Sequence, residues 1–509
     1  MSSIFVRHGE RVLRLEARRG EPVLDVLRRA GLPVQAVCGG RGTCGKCRVL
    51  LEGPAGPQEA LACRLPAADG MRLALPLASN ASVCCVTSSG APSPFPLSPR
   101  AGAGAAVDLG TTTVAAELFD LSTAQSLGRA GAWNAQAAFG ADVLTRIAYV
   151  MEHDGGLALL QDVLRRQVLS LVEELCRRHL PPGRRAGELF LSGNTVMQHI
   201  ACGLSPVPIA KAPFAPPTLF WQEAPLEWEG LAVRLSPCVA GYVGGDITAG
   251  LLSCGRLLGG RSLFVDVGTN GEMALHCGDG FLCCAVATGP AFEGGGISCG
   301  MAGLPGAVRR VSWYGAGPVL EVIGGGRPRG LCGSGLLDAL ALLLELGAVD
   351  PGGRLLPPDE APPGLAPWLE RDQNGNGVFF FTPDRSLFLT AGDLRALQLA
   401  KGAVAAGIEV LLRRAGLSAG ELDGLYLAGG LGSSLNPQSA LRIGMFPPQL
   451  AGKITALGNT ALAGAGEALL SEQARAALFG IARRCTYVEL SGDADFSRAF
   501  PEHLPFEQC

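Results

Sequence analysis

The sequence predicts an α/β protein of several domains: a small strand-rich N-terminal unit, a linker, and a larger core built twice from one strand–turn–strand device. Three observations carry this. The chain has 509 residues, too many for a single core. Three cysteines crowd into CGGRGTCGKC, residues 38–47, ahead of a fourth at Cys63. Two segments, AAVDLGTTTVAAELFD (105–120) and LFVDVGTNGEMALHC (263–277), share the pattern of apolar strand, Asp-x-Gly-Thr turn and second strand, the mark of a duplicated fold.

Apolar residues make up 48% of the chain, a globular composition rather than a disordered one. The start, MSSIFVRHGE, is polar and lacks the apolar core of a signal peptide. No uninterrupted apolar run reaches the roughly 18 residues of a membrane helix. The expected setting is cytoplasmic, with neither membrane nor nucleic acid as partner. Cysteines stay reduced there, so a cysteine cluster points to metal or catalysis rather than disulfides. Net charge is −3 but uneven: residues 1–80 hold 12 Lys and Arg against 7 Asp and Glu, leaving 30 against 38 for the rest. A basic unit on an acidic body suits two parts that face different partners.

The first unit is expected over 1–83. IFVRHGERVLRLEA alternates like a hairpin turning near His8-Gly9. PVLDVLRRAG reads as a short amphipathic helix ended by Gly31, and CRVLLEG and MRLALPL read as further strands. A linker follows at 84–105, where Pro, Ser, Gly and Ala dominate without a hydrophobic period. The core then falls into two parts, 106–262 and 263–509. Their helical stretches are LALLQDVLRRQVLSLVEELCRRH, GLLDALALLLELG and DLRALQLAKGAVAAGIEVLLRRAG.

The spacing Cys38-x5-Cys44-x2-Cys47, with Cys63 after fifteen more residues, supplies the four thiolates of a [2Fe–2S] cluster. A loop around two irons must bend sharply and aim N–H groups at sulfur, which Gly39, Gly40, Gly42 and Gly45 permit. Zinc, the main competitor, favours two Cys-x(2–4)-Cys knuckles, and only one is present. The adjacent pairs Cys84-Cys85 and Cys283-Cys284 read as small apolar residues. Cys332 sits at a helix start, where a thiolate is favoured.

Asp108-Leu109-Gly110-Thr111-Thr112-Thr113 lies at a strand end. Gly110 lets backbone approach a phosphate, the threonine hydroxyls and N–H groups donate to its oxygens, and Asp108 can hold Mg²⁺ through water. Asp266-Val267-Gly268-Thr269-Asn270-Gly271 repeats the device, and two such loops facing each other would clamp the β- and γ-phosphates of ATP. LYLAGGLGSSLN (425–436) adds a strand running into Gly429-Gly430. No G-x4-G-K-[ST] loop occurs. No Asp-x-His-x-x-Gly occurs either, so the chain is not expected to bind cobalamin itself.

In this order the three segments resemble the phosphate-1, phosphate-2 and adenosine motifs of the actin, sugar kinase and Hsp70 ATPase superfamily. The cysteine segment resembles the ferredoxins with x5 spacing. Together they imply an N-terminal β-grasp ferredoxin-like domain and a duplicated actin/Hsp70-like ATPase fold, two lobes with a nucleotide cleft. LSGNTVMQH (191–199), GYVGGDITAG (241–250), ATGPAFEGGGISCGMAG (287–303), LCGSGLLDALA (331–341) and TYVELSGDADFSRAFPEHLPF (486–506) narrow the match. With the fused N-terminal domain, they resemble the reductive activators of corrinoid proteins.

That resemblance implies an ATP-hydrolysing iron–sulfur reductase. One electron passes from the [2Fe–2S] cluster to the Co(II) corrinoid of a methyltransferase partner and restores Co(I), an uphill step coupled to ATP. Cys38, Cys44, Cys47 and Cys63 would hold the cluster. Asp108, Asp246 and Asp266 would place Mg²⁺ and the attacking water. Gly110, Thr111, Thr112, Thr113, Gly268, Thr269, Asn270, Gly271, Glu293, Gly294, Gly429 and Gly430 would line the nucleotide. Asn194 and Thr195 read either as cleft wall or as helix cap. An upstream electron donor is required, and a homodimer is left open. Family members often carry a further domain between linker and ATPase core; here Asp108 follows the linker almost at once. The rival readings are a small-molecule kinase with a redox cluster, and an activator of a radical dehydratase.

Overall fold

The computed structural model describes residues 2–8, 11–32, 34, 36, 39–42, 45–53, 56–75, 93–222, 226–255, 257–432 and 434–506. The chain forms two compact units: 1–86 with 95–246 and 465–476, and 87–94 with 247–464 and 477–509.

The first unit opens as the alternation requires. Strands β1 (Ser2–His8) and β2 (Arg11–Ala17) pair antiparallel, His8 opposite Arg11. Helix α1 (Val23–Arg29) buries Val23, Leu24, Val26 and Leu27, the face its apolar spacing marks out. With β3 (Arg48–Gly53), β4 (Gly56–Leu61) and β5 (Arg72–Ala74) the sheet runs β2-β1-β5-β3-β4, and β1 lies parallel to β5 at its centre. Ile4, Val6, Leu27, Val49 and Leu73 close the core under α1. This is the expected β-grasp. Strand β4 gave no signal in sequence, because GPQEAL is a largely exposed edge strand with no apolar alternation.

The segment expected as linker ends earlier than residue 105. Strand β6 (Ala103–Leu109) already includes Ala103, and the residues before it are laid on the unit. Ser98 N–H donates to Leu470 O at 3.0 Å and Arg100 Nη2 to Leu469 O at 2.6 Å. Strands β7 (Thr113–Asp120) and β8 (Ser126–Trp133) make a meander with β6. Helices α2 (Val143–Glu152) and α3 (Gly156–His179) follow. Strand β9 (Ala186–Ser192), helix α4 (Thr195–Ala201) and strands β10 (Leu226–Trp228) and β11 (Leu231–Leu235) complete the sheet β10-β11-β9-β6-β7-β8. Helix α5 (Gly245–Ser253) leads out of the unit.

The second unit repeats the plan with β12 (Ser262–Val267), β13 (Asn270–Cys277) and β14 (Gly280–Ala287) as its meander. A small sheet of β15 (Ala307–Tyr314), β16 (Gly317–Val322) and β17 (Gly330–Leu331) precedes helix α6 (Gly333–Glu345). Another, of β18 (Leu369–Arg371), β19 (Gly377–Phe380) and β20 (Phe388–Thr390), precedes helix α7 (Ala391–Ala415), which stops at left-handed Gly416. Strand β21 (Gly424–Ala428), helices α8 (Gly429–Gly432) and α9 (Pro437–Arg442), and β22 (Ile454–Gly458) come next. Helices α10 (Thr460–Leu470) and α11 (Glu472–Arg484), strand β23 (Cys485–Tyr487) and helix α12 (Ala494–Glu502) end the chain.

Duplication is visible in the pairing. The orders β8-β7-β6-β9-β11 and β14-β13-β12-β21-β22 are the same, each an antiparallel meander continued by two parallel strands. The division at 262/263 needs two amendments: residues 247–262, expected with the first half, belong to the second unit, and residues 465–476, expected with the second half, pack with the first unit. Among the described residues no helix is long and apolar enough to cross a membrane.

Candidate functional site: a cluster loop and two phosphate turns

Of the four cluster cysteines, Cys47 and Cys63 are described; Cys38 and Cys44 lie outside the described residues. Cys47 leads into β3 and is 1% exposed, while Cys63 follows β4, and the antiparallel β3–β4 pairing brings them together. Their Sγ atoms stand 3.3 Å apart with no disulfide between them. Two thiols converging at this distance on a loop of left-handed glycines fit a shared iron–sulfur group (φ +66°, +96°, +75° and +64° at Gly39, Gly40, Gly42 and Gly45). At Gly42 a side chain would run into the Arg64 guanidinium, which caps Gly42 O at 2.7 Å.

In the first unit, Asp108 ends β6 opposite Ala115 and beside Ser192 of β9. Asn134 Nδ2 donates to Gly110 O at 2.8 Å, and Arg146, fully buried on α2, donates to Thr111 O. Asn194 caps α4 by accepting from Met197 N–H, and its Nδ2 donates to Thr111 Oγ1 at 2.9 Å. Asn194 is therefore both cap and site wall. Thr195 instead faces away, donating to Ala240 O at 2.6 Å. Asp246, in the first turn of α5, is held at this spot: Gly245 N–H and Asp246 N–H both donate to Gly193 O. At Gly244 a Cβ would lie 2.4 Å from Asn194 Cα and 2.7 Å from Asp246 Oδ1. Asp108, Thr111, Asn194 and Asp246 thus gather at the ends of β6, β9 and α5.

In the second unit, Asp266 ends β12 opposite Glu272. Its carboxylate packs on the glycine turn after β21: a Cβ on Gly429 (φ +80°) would lie 2.3 Å from Asp266 Oδ1. The segments read as phosphate-2 and adenosine motifs therefore adjoin. Thr288 Oγ1 donates to Gly268 O and Thr269 O at 2.9 and 2.8 Å, fixing the turn. Glu293 closes a 3-10 turn before left-handed Gly294, and its Oε1 lies 3.7 Å from the Cβ position of Gly268. Thr269 Oγ1 is buried and has no hydrogen-bond partner among the described residues. A buried hydroxyl left without a partner on a half-buried glycine turn fits an anion such as a phosphate.

Arg146, Asn134 and Thr288 were not foreseen. The signal for Asn134 was a helix-capping residue, while Arg146 and Thr288 hold backbone carbonyls and left no pattern. Cys84-Cys85 lie outside the described residues. Cys283 and Cys284 are buried, and burial pushes the Cys284 thiol far up, as suits apolar use. Cys332 is buried and donates to Val308 O at 3.3 Å, a structural thiol.

The fold and these sites define a class: a [2Fe–2S] ferredoxin-type domain joined to an ATPase-type core of the actin, sugar kinase and Hsp70 kind. Comparison with known proteins narrows it. The family models that match are a 2Fe-2S iron-sulfur cluster binding domain at 9–68, the RACo middle region at 103–256, and the C-terminal domain of RACo, the ASKHA domain, at 260–508. The middle-region model begins at β6, where the ATPase core starts. A protein of Eubacterium limosum described as corrinoid activation enzyme RamQ is 28% identical over 95% of this chain and 96% of its own. A Methanosarcina barkeri protein described as [Co(II) methylated amine-specific corrinoid protein] reductase is 26% identical over 75% of this chain and 73% of its own. A solved structure of a reductive activator for corrinoid, iron-sulfur protein covers 99% of this chain and 98% of its own, with 28% identity and TM-score 0.72. In domain content and order the chain resembles the reductive activators of corrinoid proteins along nearly its whole length.

Proposed function

We propose that the chain is an ATP-dependent reductive activator, passing one electron from a [2Fe–2S] cluster to the Co(II) corrinoid of a methyltransferase partner and restoring Co(I). The observation that carries this is the union, in one chain, of converging Cys47 and Cys63 thiols with two Asp-x-Gly-Thr turns. The end-to-end likeness to proteins described as corrinoid activators supports it.

Cys38, Cys44, Cys47 and Cys63 hold the cluster, which when bound stores the single electron between an upstream donor and the cobalt. The turn at Gly110–Thr113 and the turn at Gly268–Gly271 each offer N–H and hydroxyl donors to phosphate oxygens. Asp108, Asp246 and Asp266 position Mg²⁺ and the attacking water, and Gly429-Gly430 accommodate the adenosine. Glu293 lies close enough to Gly268 to orient that turn or the metal. The step from Co(II) to Co(I) is uphill for the electron, so ATP supplies the difference.

The test mixes the anaerobic, cluster-loaded chain with a Co(II) corrinoid protein and follows Co(I) by visible absorption. Conversion requires ATP, and Cys63→Ala removes both the electron paramagnetic resonance signal of the reduced cluster and the conversion. Equal conversion without ATP at a physiological donor potential would overturn the coupling.

A further inference from the structure

Arg28, on the last turn of α1, is a charge in an unusual place. Its side chain is 8% exposed and all three nitrogen positions are used. Nη2 donates to Gly39 O of the cluster loop at 2.7 Å, and Nη1 to Asp25 Oδ1 at 3.0 Å. Nε donates to Ala138 O at 2.6 Å, across to the ATPase part of the same unit. There the guanidinium also lies over the rings of Phe139 and Tyr149, 5.5 and 5.7 Å from their centroids, and those rings meet edge to face. A buried guanidinium persists only where its donors are satisfied together. The contacts around it are weaker: Ala36 N–H to Ala137 O at 3.4 Å, and an exposed Arg41–Glu152 pair at 3.6 Å.

The seat that Arg28 occupies is built from the two pieces that hold the first phosphate turn. Asn134, which donates to Gly110 O, caps the 3-10 helix Ala135–Ala138 that ends at the Arg28 acceptor. Arg146, which donates to Thr111 O, stands on α2 one turn before Tyr149 and hydrogen-bonds Gln136 at 3.2 Å. A continuous set of contacts therefore runs from the Gly110 and Thr111 carbonyls to Ala138, Phe139 and Tyr149, and from them through one side chain to Gly39.

We propose that Arg28 is a positioning residue that couples the first phosphate turn to the cluster loop, so that nucleotide at Gly110–Thr111 alters the surroundings of the iron–sulfur group. This rests on the reading of Gly110–Thr113 as a phosphate loop and of the cysteines as cluster ligands. A cationic guanidinium held against the loop favours the reduced, more negative cluster, and a changed seat weakens that hold.

The experiment uses the full, cluster-loaded chain with and without a non-hydrolysable ATP analogue and Mg²⁺. Cluster midpoint potential, electron paramagnetic resonance g-values and hydrogen exchange over α1 are the readouts. Iron content and calorimetric nucleotide affinity are checked separately, so failure of either underlying reading is recognised by itself. The wild type is expected to show a nucleotide-dependent lowering of the midpoint and faster exchange in α1. Arg28→Ala and Arg28→Lys are expected to lose both while binding nucleotide within about twofold of wild type; lysine keeps the charge and lacks the fork. If Arg28→Ala does not load its cluster, Tyr149→Leu, on the far side of the contact, carries the same expectation. A wild type that ignores nucleotide overturns the proposal, as does a variant with full cluster and bound nucleotide that shifts as wild type does.

Discussion

The two Asp-x-Gly-Thr turns share a sequence but differ in span and in backing. In the first, Leu109 pairs with Val114 and the turn encloses residues 110–113; in the second, Val267 pairs with Gly271 and it encloses 268–270. Gly271 stands where the first copy has Thr113, and a Cβ there would lie 2.8 Å from Val286 Cγ2. Behind the first turn stand polar side chains, Asn134, Arg146 and Asn194. Behind the second stand a single hydroxyl, Thr288, and bare backbone at Gly429. Duplication has kept the turn and let its support diverge: three side chains hold the first by hydrogen bonds, while the second rests on one, Thr288, and on the close approach of Gly429 to Asp266.

The largest effect should come from the carboxylate of the tighter turn. Asp266→Ala is expected to cut ATP-driven Co(I) formation on the order of 100-fold or more, with the paramagnetic signal of the cluster unchanged. Retention of more than a tenth of the rate would break the reading of Asp266 as a working part of the second turn. Next, Gly429→Ala pushes a methyl into Asp266 Oδ1 at a left-handed position. That strain, about 1–3 kcal/mol, should show in calorimetry as nucleotide affinity weakened by roughly tenfold. An unchanged affinity would mean that Asp266 tolerates displacement.

A third measurement separates the two supports directly. At Gly110 a Cβ would lie 2.4 Å from Thr113 O, whereas at Gly268 the nearest atom is 3.7 Å away. Gly110→Ala should lower the thermal midpoint through overpacking of about 1–3 kcal/mol, and Gly268→Ala should leave it in place. Equal melting of the two variants would erase the distinction. The smallest effect concerns α4, behind the first turn. Burial holds the fully buried His199 below its ordinary 6.5, opposed in part by its 2.7 Å hydrogen bond to Thr195 O. Because the unfolded chain takes the proton more readily, this residue's contribution is intact above about pH 6.5 and is lost as pH falls below it. Melting curves from pH 7 to 5 should therefore fall less steeply in His199→Asn; identical slopes would show that folding does not shift the titration of this imidazole.

Much of the architecture was legible because it rests on local pattern. The hairpin of β1 and β2, the helix closed by Gly31, and the long α7 ended by Gly416 all follow from alternation, period and capping. So does the repeated turn, since a phosphate loop constrains consecutive residues. What was not legible depends on partners distant in sequence. Asp266 against Gly429 joins segments read separately, and Asn194 against Thr111 gives a cap a second task. Arg146 looks like a lone charge on an apolar helix, and Arg28 like a surface residue at a helix end. The small sheets β15–β17 and β18–β20 were missed because their strands are short and mostly half-exposed.

The return of residues 465–476 to the first unit has a consequence for synthesis. Leu469 and Leu470 receive the hydrogen bonds of Arg100 and Ser98, and Glu472 N–H donates to Ser98 Oγ. The N-terminal β-grasp carries its own core and is complete once its last strand has left the ribosome. The sheet that follows it must wait for a piece made near the end of the chain, a delay on the order of tens of seconds at ordinary translation rates. A nascent chain would thus be able to acquire iron and sulfide well before it is able to form a finished nucleotide lobe.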